Sequence, residues 1–173
     1  MLKKNIVLIG MMAAGKTTIG FKLANKLGYE FIDIDSEIEK SENDKITNIF
    51  KNKGEEYFRK IEERMTLIVL DKKNSVISLG GGAFLNEKIR KKIKKNGTSF
   101  WLKWKIKTIL DRISKNNRRP LAIKLKSKDI INLYRHRVKF YKLSDFKVNC
   151  ENKNKNDIIN KISKIIKNES SGN

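Results

Sequence analysis

The sequence predicts a three-layer α/β fold, a five-stranded parallel β-sheet flanked on both faces by helices. Two observations predict it. Short apolar runs of strand length recur at residues 5–9, 30–34, 75–79, 99–104 and 146–149, and segments between them space their apolar residues at intervals of three and four. Strands that alternate with helices are joined by crossovers, and crossovers make a parallel sheet with both faces covered. The length bounds the rest: 173 residues suit one domain with a real core, at roughly 150 residues per domain. A single domain over 1–173 is expected, with one site in it.

Asn5–Ile9 reads as a buried strand, and Lys16–Leu27 as the helix after it, with Ile19, Leu23 and Leu27 on one face and Gly28 as its stop. A second strand follows at 30–34. Phe58, Ile61, Met65 and Ile68 mark the apolar face of another helix, and 75–79 is the strand that it leads to. The strand at 99–104 is followed by a helix carrying Ile106, Ile109, Leu110 and Ile113. A further helix begins near Ser127. Between these two helices, residues 114–126 form a basic stretch interrupted by Pro120, the only proline, and are long enough to be a mobile lid. After the strand at 146–149, Ile158, Ile159, Ile162, Ile165 and Ile166 give a helix expected to pack on the sheet, leaving 168–173 disordered. There is no internal repeat and no interdomain linker.

Lys and Arg number 40 against 19 Asp and Glu, a formal charge of +21. That charge raises nucleic acid, anionic lipid and phosphorylated small molecules as partners. The excess is almost all lysine, scattered over solvent-side positions, so it reads as compositional drift rather than a polyanion surface. Cys150 is the only cysteine, which excludes an intramolecular disulfide and suggests a buried inert thiol in a reducing, cytoplasmic setting. The opening Met1-Leu2-Lys3-Lys4 and the apolar run after it imitate a signal peptide, but the same residues make a strand and a glycine-rich loop that cleavage would destroy. No stretch approaches the roughly 18 apolar residues of a membrane helix.

Gly10-Met11-Met12-Ala13-Ala14-Gly15-Lys16-Thr17 matches G-x-x-x-x-G-K-[ST] between a strand and a helix. In such a loop backbone N–H groups face phosphates, Lys16 bridges the β and γ oxygens and the Thr17 hydroxyl ligates Mg²⁺. Asp33 and Asp35 stand two apart at a strand end, where both side chains would project to one side. One can hold Mg²⁺ through water and the other accept from a substrate hydroxyl; alternatively Asp35 or Ser36 caps the next helix. Arg59 and Glu62, at i and i+3, suit a local ion pair, or a guanidinium offered to a carboxylate. Gly80, Gly81 and Gly82 end the central strand, where glycine lets backbone approach a ligand. Arg118 or Arg119 could close over a transferring phosphate. Arg137 lies on the next helix with Tyr141 one turn on, and His136 has no partner spacing that gives it a role.

In order and spacing, Gly10 to Thr17, Phe31-x-Asp33-x-Asp35, Phe58-Arg59-x2-Glu62, Gly80-Gly81-Gly82, Arg119-Pro120-Leu121 and Arg137-x3-Tyr141 resemble the shikimate kinase family, over about residues 5–150. The resemblance implies a P-loop kinase fold of the nucleoside monophosphate kinase type with a mobile lid. It implies transfer of the γ-phosphoryl group of ATP to the 3-hydroxyl of shikimate. Met11, Met12, Ala13, Ala14, Gly15, Lys16, Thr17 and Thr18 would hold the ATP phosphates, Thr17 and Asp33 would organise Mg²⁺, and Arg112 would pack on adenine. Asp35 would contact shikimate hydroxyls as candidate base; Arg59, Arg137 and Gly80 to Gly82 would bind the rest of the substrate, with Glu62 holding Arg59. Arg119 would come down with the lid, making Lys16, Asp35 and Arg119 the catalytic set.

Two departures from the family pattern matter. Ala13 stands where the family commonly has glycine, and the expected loop geometry keeps it out of positive φ. The segment 151–155 should approach the adenine, but no single residue of it matches the family pattern. The resemblance implies ATP and shikimate as partners; a monomer is the default for this size, the lone cysteine points to the cytoplasm, and neither a membrane nor nucleic acid is expected as a partner. The alternatives are another small-metabolite kinase, gluconate kinase-like, a basic nucleic-acid-binding protein built on the same loop, or a kinase fold that has lost catalysis.

Overall fold

The computed structural model describes residues 5–115 and 126–171. Its elements are β1 (Asn5–Ile9), α1 (Lys16–Leu27), β2 (Glu30–Asp33), α2 (Ile34–Glu42), α3 (Ile46–Val69), β3 (Ser75–Ser78), a 3-10 turn (Ala83–Leu85), α4 (Glu87–Asn96), β4 (Gly97–Lys103), α5 (Ile106–Ser114), α6 (Ser127–Tyr141), β5 (Phe146–Asn149) and α7 (Lys155–Ser171). The expected lid lies largely outside the described residues, Arg118, Arg119 and Pro120 included.

The five strands form one parallel sheet in the order β2-β3-β1-β4-β5. Every residue of β1 is buried, as a strand with neighbours on both edges and helices on both faces must be. Its one polar residue is satisfied: Asn5 Nδ2 donates to Leu70 O at 3.2 Å and Lys72 O at 2.7 Å, and Ser75 N–H donates to Asn5 Oδ1 at 3.2 Å. That side chain pins the turn between α3 and β3. Because β3 lies on one side of β1 and β4 on the other, the order reverses at β1, and the loops leaving β1 and β3 emerge side by side. Ligands bind open α/β sheets at such a switch point.

α1 begins and ends as its sequence predicts, with Gly28 in the left-handed region at φ 68, donating to Ala24 O and Asn25 O. The last helix packs against α1 and β5 and runs on to Ser171, through the start of the stretch expected to be disordered.

α3 departs further from expectation. Gly54, at φ 81 and ψ 173, breaks it into two segments. The buried side chains of the second segment are Phe58, Glu62, Thr66 and Val69, while Ile68, expected on the apolar face, is 56% exposed. The helix has turned a glutamate inward at the cost of an isoleucine outward. α2 is capped by Asp33, whose Oδ1 accepts the Asp35 N–H at 3.1 Å. Neither Asp35 nor Ser36 is the cap, and Asp35 is helical rather than on an extended strand end.

Cys150 is fully buried, and burial pushes its thiol up to about 12, as an inert core thiol requires. No described helix is long and apolar enough to cross a membrane.

Candidate active site

The loop between β1 and α1 is held by its lysine. Lys16 Nζ donates to Gly10 O at 2.9 Å and Met11 O at 3.0 Å and is buried with them, so the ammonium sits over the loop that it would share with phosphates. Gly10 (φ 147), Ala13 (φ 61) and Gly15 (φ 86) all have positive φ. Ala13 therefore contradicts the expected geometry: the loop turns through the left-handed region there, and its Cβ costs about 1–2 kcal/mol that glycine would not. Met12, Ala13 and Ala14 complete the loop, and Thr18 lies exposed beside Thr17 on the first turn of α1. That turn carries no acidic residue, leaving its N–H groups and dipole suited to an anion.

Thr17 Oγ1 donates to Asp33 Oδ2 at 2.7 Å. Among the described residues no group of three or more His, Cys, Asp or Glu could hold a metal. A hydroxyl and one carboxylate, both hard oxygen donors, fit Mg²⁺, which keeps several waters and takes other ligands from phosphates.

On the β4 side of the loop, the Arg112 guanidinium carbon lies 3.6 Å from the centre of the Trp104 ring. Trp104 Nε1 donates to Ala14 O at 3.0 Å and Arg112 Nη1 to Ala13 O at 3.4 Å. These side chains wall a cavity of about 620 Å³ together with Lys22, Lys153, Asn154, Lys155 and Asn156. Trp104 is not singled out by the sequence, because no spacing distinguishes it from a strand end; Lys153, Asn154 and Lys155 fall in the segment expected near the adenine, though no pattern picks them out individually.

The loop after β3 collects the remaining side chains. A Cβ built at Gly80 would collide with Glu62 Oε1 and lie 3.1 Å from Asp35 Oδ1. One at Gly81 would lie 2.7 Å from Arg137 Nη1, and one at Gly82 would lie 2.7 Å from Arg59 Nη1 and 2.9 Å from Nη2. None of the three has positive φ, so glycine is required here for space and not for backbone conformation. Together the three make room for the four charged groups singled out in the sequence, Gly80 for two of them. Tyr141, fully buried, donates its hydroxyl to Gly81 O, and Arg137 Nη1 lies 3.8 Å from Met11 Sδ. Met11 thus joins the two loops.

Charge is costly in this cluster. Glu62 is 2% exposed; its Oε2 accepts from Arg59 Nη1 at 2.7 Å, and its Oε1 is buried without a hydrogen bond among the described residues. Burial raises the Glu62 pKa, the neighbouring Asp35 charge adds to this, and the Arg59 and Arg137 charges offset only part. Burial lowers the pKa of Arg137, whose Nε is likewise buried without a described partner. Burial also works against the charge on Arg59, but Glu62 and Glu55 outweigh it and its pKa is raised. His136 is exposed, its ring against Phe140.

The site therefore has two halves, a phosphate loop beside a cavity of about 620 Å³ and a glycine-lined pocket with two guanidiniums and two carboxylates. Residues 12–167 match the family model for shikimate kinase. A shikimate kinase of Persephonella marina is 43% identical over 159 residues, covering 92% of this chain and 96% of its own. One of a Sulfurihydrogenibium species is 38% identical over 164 residues, 95% and 98% of the two chains. A solved shikimate kinase from Acinetobacter baumannii in complex with shikimate superposes with a TM-score of 0.90 at 30% identity, covering 98% of this chain and 96% of that one.

Proposed function

The chain belongs to the shikimate kinase family, and we propose that it moves the γ-phosphoryl group of ATP onto the 3-hydroxyl of shikimate with the residues gathered where β1 and β3 end. What carries this is the matching of three successive glycines to Glu62 and Asp35, Arg137, and Arg59. Shikimate is a carboxylate bearing three hydroxyls, and it needs guanidinium for the one and acceptors for the others. Both kinds of group converge on one loop.

In the proposed division of work, Arg59 and Arg137 hold the carboxylate, and Glu62 Oε1 and Asp35 accept from hydroxyls. Lys16 and the N–H groups of the loop bind the phosphates, and the cavity by Arg112 and Trp104 takes the adenine. Thr17 and Asp33 would hold Mg²⁺, which when bound neutralises charge on the β- and γ-phosphates. The 3-hydroxyl oxygen bonds to the γ-phosphorus as the β–γ bridging P–O bond breaks, ADP leaves, and Asp35 takes or orients the hydroxyl proton. Arg119, outside the described residues, is assigned to the charge on the moving phosphoryl group by its Arg-Pro-Leu motif, with the lid at 114–126 carrying it. A cytoplasmic monomer is the setting proposed, in keeping with a lone buried thiol.

Lys16→Ala and Asp35→Asn are expected to lower kcat about a hundredfold or more while circular dichroism stays native. Arg137→Ala is expected to raise the KM for shikimate far more than that for ATP. Shikimate kinetics unchanged in Lys16→Ala or Asp35→Asn would sink this mechanism.

A further inference from the structure

A guanidinium has five N–H donors, and the edge formed by Nε and one Nη matches a carboxylate with two parallel hydrogen bonds. On Arg59 that edge is already taken. Nε donates to Glu55 Oε1 at 3.2 Å and Nη2 donates to the same oxygen at 3.0 Å, while Nη1 is held by Glu62 at 2.7 Å.

The two acids are placed very differently. The Glu62 side chain is 3% exposed and that of Glu55 is 67% exposed. Arg59 is confined on one side: its Nη1 is paired with buried Glu62, and its guanidinium lies against Gly82 and near the Phe58 ring. A carboxylate arriving at the Nε and Nη2 edge therefore meets Glu55 as the more readily displaced partner, since Glu55 can turn into solvent while Glu62 is buried. An exposed i,i+4 pair of this kind is weak and easily broken. Displaced, Glu55 remains favourably placed, because it is the first residue after the break at Gly54 and so begins a helical segment, where the dipole favours an anion.

We propose that Glu55 is a built-in competitor for the substrate carboxylate on Arg59, a positioning residue that sets how tightly shikimate is held. This rests on the reading of Arg59 as a carboxylate clamp. Its opposite is a brace, in which Glu55 helps to orient Arg59 and its loss weakens binding. The two differ in sign.

The test is calorimetric titration of the full chain and its Glu55→Ala and Glu55→Gln variants with shikimate, with the neutral carboxamide of shikimate and with ATP. As a competitor, Glu55 once removed lowers the Kd for shikimate about threefold and leaves the Kd for the carboxamide and for ATP where they were. A Kd for shikimate that is unchanged or higher in both variants, or one that falls equally for the carboxamide, overturns the proposal. A wild-type chain that binds no shikimate would overturn the reading of the site itself, and is told apart by appearing before any substitution is made.

Discussion

Glu62 shows at the scale of one residue what the site demands. A carboxylate placed among buried groups resists ionisation, and its pKa is raised chiefly by that burial. The consequence for stability follows from the sign. Between the ordinary carboxylate range and the raised value, the folded chain keeps a proton that the unfolded chain has released, so this group's contribution falls as pH rises through that window. The surface acids paired with lysines, such as Glu42 and Glu56, are shifted the other way. Comparison with Glu62→Gln isolates the one residue: in urea unfolding, wild type should lose ground to the variant as pH rises from the carboxylate range toward neutrality. A difference between the two that does not vary with pH would contradict the assignment. Other single residues were only half legible. Asp33 and Asp35 could be named as site acids, but the sequence could not say that Asp33 serves as both helix cap and partner of Thr17, since one oxygen takes each role. The positive φ of Ala13 is misread from the sequence: alanine itself carries no signal for it, and the glycine common at that position in the family is the one hint available.

At the scale of elements, the parts that read well are those where burial alone decides the pattern. β1 and α1 appear with the limits expected, because a fully buried strand with a single polar residue and a helix ending in glycine have few other solutions. α3 reads poorly for the opposite reason. Its inward face carries Glu62 and Thr66, polar residues that pattern reading assigns to solvent, and α4 buries only Ile89 and Ile93, too few to mark a helix. Gly54 sets the direction of the segment bearing Glu55, Arg59 and Glu62. Its φ of 81 and ψ of 173 belong to a region nearly closed to other residues, and an added Cβ would touch nothing, so the cost of substitution is conformational alone. Gly54→Ala should destabilise by about 1–3 kcal/mol, lowering Tm by roughly 5 °C, and should raise the KM for shikimate as Arg59 is re-aimed. An unchanged Tm would mean that the two segments do not depend on the break.

For the whole molecule, the strand order β2-β3-β1-β4-β5 is what makes a site out of residues scattered from Met11 to Asn156. It sets the loops after β1 and β3 side by side, brings the start of α2 to them through β2, and leaves room for the segment after β5 at the far wall. The sequence motifs covered the first of these regions well. The last supplies its wall through a polar turn at 153–156, whose position depends on tertiary packing and not on any local pattern. Of the charge of +21, Lys22, Arg112, Lys153 and Lys155 line the cavity, while other described lysines are exposed and paired with acids, as in Glu37–Lys40, Glu39–Lys45 and Glu87–Lys91, and such pairs contribute little individually. Chemistry is thus assigned to the glycine-lined pocket and not to the basic surface. The measurement that bears most directly on this is ADP release by the purified chain from MgATP, followed by a coupled assay with shikimate, with gluconate and with no acceptor. Release that depends on shikimate and is lost in Arg137→Ala at low shikimate is the result expected; release that is indifferent to the acceptor, or that follows gluconate instead, would contradict it.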